Sequence, residues 1–238
     1  MYKALVIEFS IGAPNPEIDW IIITNNSHGN TVRNTFLSFA QSGWSCDVRQ
    51  VRDNDGFYDY VSKLQETPYD LIICSYILDV NWTNSLDKIG TDLGIPLFMP
   101  MPNSGDLNTN SFRRFNCLHV GSEFSGTSIR ADTWDIATNL NAPNNNFTSY
   151  TNAVVAGKAT KLIDAGFTYL ELYEAIREQS SQFPDWDNRN GYGKAPESFS
   201  ITLPTPIEPI PEPDPIPDPI PEPPYIPNST LKLSPFFL

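Results

Sequence analysis

Phe147-Thr148-Ser149-Tyr150-Thr151-Asn152-Ala153-Val154-Val155-Ala156-Gly157 opens the late, helix-rich part of this chain. Small and apolar residues follow the serine and run on toward Gly166, a natural helix C-cap, so the stretch predicts a helix over 149–165. A second helix is expected over 169–179. Ser149 then stands at a helix N-terminus. There it either caps the helix or meets the favourable end of the dipole as a reacting group.

Upstream of that helix, strand and helix patterns alternate. Apolar runs predict strands at 4–7, 46–51, 70–75, 95–101 and 117–121, with Pro96 near a strand start, where its missing donor is tolerated. Val32, Phe36 and Phe39 mark a helix over 31–41. Phe57, Tyr60, Val61 and Leu64 mark a second, and 84–93 reads as a third, short one. This βαβα order predicts an α/β fold, a mainly parallel sheet with helices on both faces. Sites in such sheets form beyond the carboxyl ends of the strands.

The 238 residues suit one ordinary domain plus an appendage, or two small domains, and an apolar share of 40% is enough for a sizeable core. Fifteen basic against 28 acidic residues leave a net charge of −13. Such a surface repels phosphate backbones and anionic lipid, so neither nucleic acid nor a membrane surface is an expected partner. No apolar run reaches the ~18–20 residues a membrane span needs. Met1-Tyr2-Lys3-Ala4-Leu5-Val6-Ile7-Glu8 carries one basic residue and ends in a carboxylate, so it reads as a first strand and not as a signal peptide. Cys46, Cys74 and Cys117 lie in or near apolar strands without metal spacing and read as buried free thiols of a reducing compartment. A cytoplasmic or virion-associated location is expected.

Composition changes near residue 200, which suggests a globular domain over 1–200 and an arm over 201–238. Between Pro204 and Pro227, 12 of 24 residues are proline. Proline fixes φ and removes a donor, so polyproline II is expected, reaching ~75 Å at ~3.1 Å per residue. The arm ends in Leu231-Lys232-Leu233-Ser234-Pro235-Phe236-Phe237-Leu238, an apolar tip. It reads either as a docking arm for a protein partner through residues 204–238 or as a solvated tail.

The expected strand ends carry chemistry. Glu8 closes the first strand, His28-Gly29 precedes the first helix, Asn103-Ser104-Gly105 follows a strand, and Ser149 starts the late helix. Serine is a poor nucleophile until a base takes its proton; imidazole does this near neutral pH, and a carboxylate holds its tautomer. An amide donor such as Asn103 suits an oxyanion. Each also has a plainer reading: Ser149 as helix cap, His28 as loop histidine, Asn103 as turn residue, Glu8 as polar strand end. His119 lies inside a strand and reads as packed or edge-exposed. The pairs Asp53/Asp55 and Asp185/Asp187 read as solvated loop residues, so no metal and no cofactor is expected.

In this order the segments resemble the subtilisin-like serine peptidases. The family's Gly-Thr-Ser-x-Ala-x-Pro-x-Val-Ala-Gly stands here as 147–157, with Thr148, Ser149, Val155, Ala156 and Gly157 in register. Leu140-Asn141-Ala142-Pro143-Asn144 is similar to its Ala-Pro-Gly segment, and His28-Gly29-Asn30-Thr31-Val32 to its His-Gly-Thr-His-Val segment. Pro102-Asn103-Ser104-Gly105 resembles the loop of its oxyanion asparagine, and Leu118-His119-Val120-Gly121-Ser122 the strand after it. Asn190-Gly191-Tyr192-Gly193-Lys194 resembles its closing turn, and Val6-Ile7-Glu8-Phe9-Ser10 takes the place of its aspartate segment.

The resemblance spans about residues 2–195 and implies a three-layer α/β domain. It implies peptide-bond hydrolysis by Ser149, His28 and Glu8 with Asn103 as oxyanion donor. Glu8 replaces the family's aspartate, Phe147 its glycine near the specificity pocket, and Ala153 its proline. Two functions stay open on these residues. One is a serine endopeptidase. The other is a catalytically impaired structural component of a large assembly, such as a virus particle, docked through the arm.

Overall fold

A computed structural model of the chain describes residues 1–10, 27–52, 64–75, 90–101, 117–122, 136–138, 148–185 and 191–201. The expected helix around 57–64 falls mostly outside them. So do Asp53, Asp55, Asp187, the Ala-Pro-like segment at 140–144 and the arm from 202 onward. Among the described residues there are six strands: β1 (Lys3–Ser10), β2 (Ser45–Arg52), β3 (Leu71–Cys74), β4 (Leu97–Pro100), β5 (Leu118–Ser122) and β6 (Ile136–Thr138). They pair in the order β2-β1-β3-β4-β5-β6, each neighbouring pair parallel. The longer described helices are α1 (Ser27–Phe39), α2 (Thr148–Asp164) and α3 (Tyr169–Glu178).

The α/β architecture matches the expectation drawn from the alternating pattern. Most boundaries shift by one or two residues, and three differences are larger. β1 continues past Glu8 to Ser10, so the carboxylate lies within the strand and not at its end. α1 begins at Ser27, because the spacing of Val32, Phe36 and Phe39 marks only core-facing positions and is silent about the first turn. His28 therefore belongs to the helix instead of preceding it. β6 was not anticipated; three residues are too short to show a period.

Strand stretches buried on both faces need apolar residues at every position, and residues 4–7 of β1 and Leu71–Cys74 of β3 have them. Ala4, Val6, Leu71, Ile73, Phe98 and Val120 pack with the three helices on one face of the sheet. Leu5, Ile7, Ile72, Cys74, Leu97 and Met99 form the other face, with Leu64, Tyr69 and Ile95. The chain leaves β1 toward β2 on one side and later enters β3 on the other. That reversal makes the carboxyl ends of β1 and β3 a topological switch point, where adjacent connections part and leave a crevice. Glu8 and Ser75 lie there.

The thiols are free. Burial pushes Cys46 up to about 12 and raises Cys74 still further, so both are poor nucleophiles. Cys74 and Cys117 are buried as expected, whereas Cys46 is only partly so.

α1 and α2 lie side by side and run the same way. His28 of α1 meets Ser149 of α2 at one end, and the Gln41 N–H donates to Thr160 Oγ1 at 2.9 Å near the other. Gly157 makes the close approach possible. A Cβ there would stand 2.6 Å from the Phe36 carbonyl oxygen and 2.9 Å from Phe39 Cβ. α2 ends on a Schellman closure at Gly166 (φ +94°), with Gly166 N–H donating to the Ile163 carbonyl at 2.9 Å and Phe167 N–H to that of Leu162 at 3.1 Å.

Gly157→Ala sets two effects against each other. Helix propensity favours alanine by ~1 kcal/mol, whereas overpacking against backbone atoms costs ~1–3 kcal/mol. The nearest blocking atom is a backbone carbonyl oxygen, and Phe39 Cβ is fixed by its own backbone, so neither can rotate away. A net loss of stability is therefore expected, read as a lower urea midpoint.

Candidate functional site

The site begins with a buried carboxylate. Glu8 is 2% exposed and lies on β1 across from the end of β3. A buried charge is costly unless several donors meet it. Two do: His28 Nδ1 lies 3.0 Å from Glu8 Oε2, and Ser75 Oγ donates to the same oxygen at 2.8 Å. Ser75 Oγ is also 2.9 Å from the Ile7 carbonyl oxygen, so the hydroxyl lies between two acceptors of β1. Gly29 supplies the room that a side chain as long as glutamate needs. A Cβ at that position would stand 3.0 Å from Glu8 Oε2 and 2.8 Å from Val48 Cγ1.

The imidazole links this carboxylate to the serine. With Nδ1 facing Glu8, Nε2 lies 3.1 Å from Ser149 Oγ. An ionised carboxylate only accepts, so Nδ1 carries the proton, and the Nε2 lone pair is left to accept from the serine hydroxyl. Tyr150 packs beside the ring, centroids 5.6 Å apart and tilted by 54°. The His28 side chain is 32% exposed and Ser149 is 5% exposed, so the imidazole is the part of the line that solvent reaches.

Ser149 is held by its own helix. Thr148 Oγ1 donates to the Met101 carbonyl just after β4, and Thr151 Oγ1 to the Gly121 carbonyl of β5 at 2.9 Å. Asn152 Nδ2 donates to the Cys74 carbonyl at 2.9 Å and the Phe98 carbonyl at 3.1 Å. Three polar side chains in the opening turns of α2 thus hang on the carboxyl ends of β3, β4 and β5. The N-termini of α1 and α2 both point at the site. The ~+0.5 partial charge at each helix start favours negative charge there.

Glu8, His28 and Ser149, singled out from the sequence, come together within hydrogen-bonding distance although 20 and 121 positions separate them in turn. Asn103 and Phe147 lie outside the described residues. His119 is buried, with Nε2 2.7 Å from Cys117 Sγ, on the sheet face opposite α2. Ser75, Thr151, Asn152 and Tyr150 were not singled out. Nothing local distinguishes a serine after a buried strand, or a threonine and an asparagine one turn into a helix, until neighbouring strands are placed. Among the described residues no cluster of three or more His, Cys, Asp or Glu side chains could hold a metal ion.

No family model matches the sequence, and no curated protein matches it. The described architecture does have solved counterparts. MycP1 from the ESX-1 type VII secretion system is 13% identical at a TM-score of 0.58, the match covering 85% of this chain and 81% of that one. MycP3 protease from the type VII (ESX-3) secretion system is 13% identical at 0.56, covering 82% and 80%. The protease domain of PatA is 12% identical at 0.50, covering 82% and 92%. The chain has the subtilisin-like fold. At these identities the likeness concerns the protease fold alone. No described helix of this subtilisin-like chain is long and apolar enough to cross a membrane.

Ser75→Ala removes a donor from a buried carboxylate. Hydrogen bonds to charged groups contribute ~1.5–3 kcal/mol, so a destabilisation of that size is expected at pH 7. A denaturant titration of the variant against the wild-type chain measures it.

Proposed function

We propose that this chain is a serine endopeptidase in which Ser149 is the nucleophile, His28 the general base and acid, and Glu8 the group that orients His28. The observation that carries the reading is the unbroken line from Glu8 Oε2 to His28 Nδ1 at 3.0 Å and from His28 Nε2 to Ser149 Oγ at 3.1 Å. A serine that merely caps a helix has no need of an imidazole on its hydroxyl, nor that imidazole of a buried carboxylate.

In the proposed reaction Ser149 Oγ attacks the peptide carbonyl carbon while its proton passes to His28 Nε2. The carbonyl π pair moves to oxygen and forms a tetrahedral oxyanion. The Ser149 N–H, one of the helix donors without an intrahelical partner, stabilises it. Asn103 supplies the second donor. That role for Asn103 rests on the resemblance of Pro102-Asn103-Ser104-Gly105 to the family's oxyanion loop. Collapse expels the amine, which takes the proton from His28 and leaves an acyl ester on Ser149. Water, deprotonated by the same imidazole, then cleaves the ester and restores the serine. The peptide-bond class of substrate follows from this acyl chemistry and from the protease fold.

The arm adds a second role. The composition of residues 204–227, twelve prolines in 24, is that of a semi-rigid spacer, and the apolar sequence 231–238 follows it; such a segment suits docking the domain on a protein partner and so into a larger assembly.

A fluorophosphonate probe on the full-length chain tests the chemistry. Labelling should map to Ser149, vanish in Ser149→Ala, and fall by ~10⁴-fold or more in His28→Ala, as when one member of such a triad is lost. Absence of labelling, or labelling that survives Ser149→Ala, rejects the reading. Deleting 204–238 should leave labelling unchanged while abolishing partner capture.

A further inference from the structure

Asn152 sits one turn beyond Ser149 on α2 and is fully buried. Its amide can be oriented in only one way, because two carbonyl oxygens face it, those of Cys74 at 2.9 Å and Phe98 at 3.1 Å, and only the NH2 end can donate to both. The opposite atom, Oδ1, is buried with no partner among the described residues. A buried acceptor without a donor is unfavourable, so the two donations hold the side chain against that cost.

The two bonds act in a particular place. Cys74 and Phe98 belong to neighbouring strands, β3 and β4, and one amide ties both to the helix that bears Ser149. Ser75, the next residue after Cys74, holds Glu8. A closed circuit results: Glu8 to His28 to Ser149, along α2 to Asn152, across to Cys74, and back through Ser75 to Glu8. Thr148 and Thr151 tie α2 to the chain after β4 and to β5. Among these three side chains, Asn152 alone bonds β3, the strand next to the carboxylate.

We infer that Asn152 is a positioning residue of the proposed nucleophile, setting the distance from Ser149 Oγ to His28 Nε2 by clamping the first turns of α2 to the end of β3 and to β4. This rests on the reading of Ser149 as nucleophile. Asn152 touches neither substrate nor the transferred proton. Its loss lets the helix start drift from β3 while Thr148 and Thr151 still hold its other side.

The test uses the full-length chain, Asn152→Ala, Asn152→Ser, which keeps one donor, and Ser149→Ala. Fluorophosphonate labelling is resolved into the maximal rate and the half-saturating concentration, and thermal melting confirms that each variant is folded. A misplaced nucleophile reacts slowly without binding the probe less well. The maximal rate should therefore fall ~10- to 100-fold in Asn152→Ala, with an intermediate fall in Asn152→Ser. Half-saturation should change by less than about twofold in both, as expected when only reaction geometry is lost. If Asn152→Ala does not fold, Asn152→Ser carries the comparison.

A second readout is independent of turnover. The nitrogen NMR shift of His28 Nε2 reports the bond from Ser149, and in Asn152→Ala it should move toward the value found in Ser149→Ala. Wild-type rates and an unmoved shift in the asparagine variants overturn the inference while leaving the peptidase reading intact. A wild-type chain that fails to label overturns that reading, and the shift then still decides whether Asn152 places Ser149.

Discussion

The polar attachment of the start of α2 to the strand ends is the constraint on which the rest depends. A helix packed on a sheet by apolar contacts alone can slide, because burial is not directional. Hydrogen bonds from Thr148, Thr151 and Asn152 to backbone carbonyls on three different strand ends remove that freedom. The carbonyls are themselves fixed by the parallel ladder, so the helix inherits the registry of the sheet. Because α1 packs on α2 through Gly157, His28 inherits it as well.

That inheritance explains how a short side-chain line can be held with few supporting groups. Glu8 is placed by β1, His28 by α1 and Ser149 by α2, and these three side chains come together at the switch point of the sheet. Each is braced by a neighbour: the carboxylate by Ser75, the imidazole by Tyr150 and the serine by its helix. Burial of the carboxylate serves the same end. With its charge removed from water and met by two donors, it has one orientation in which those donors remain satisfied.

Glutamate in place of aspartate changes local geometry more than chemistry. Both offer an acceptor to Nδ1, but the longer side chain needs space, and here that space lies over Gly29. The residue after the histidine thereby becomes part of the support for the carboxylate. The fold is shared with proteases that are 12–13% identical, so packing and topology persist where few side chains do.

Much of the fold was legible in the residues. Continuous apolar runs at 4–7 and 71–74, helical spacing at Val32 and Phe36, and Gly166 at a helix end are local signals, and local signals state which element forms. The sequence by itself also nominated Glu8, His28, Asn103 and Ser149, since each stands at an expected element end and carries a suitable functional group. What it left open are matters of distance. The first turn of α1, the passage of β1 beyond Glu8, and the parts played by Ser75, Asn152 and Gly157 all depend on what lies across a gap between segments. A hydroxyl or amide has no assigned partner until the strand order β2-β1-β3-β4 brings one carbonyl, and not another, within 3 Å. Only the tertiary structure decides that, because hydrogen bonds act over the length of one contact while their partners lie as many as 121 residues apart along the chain.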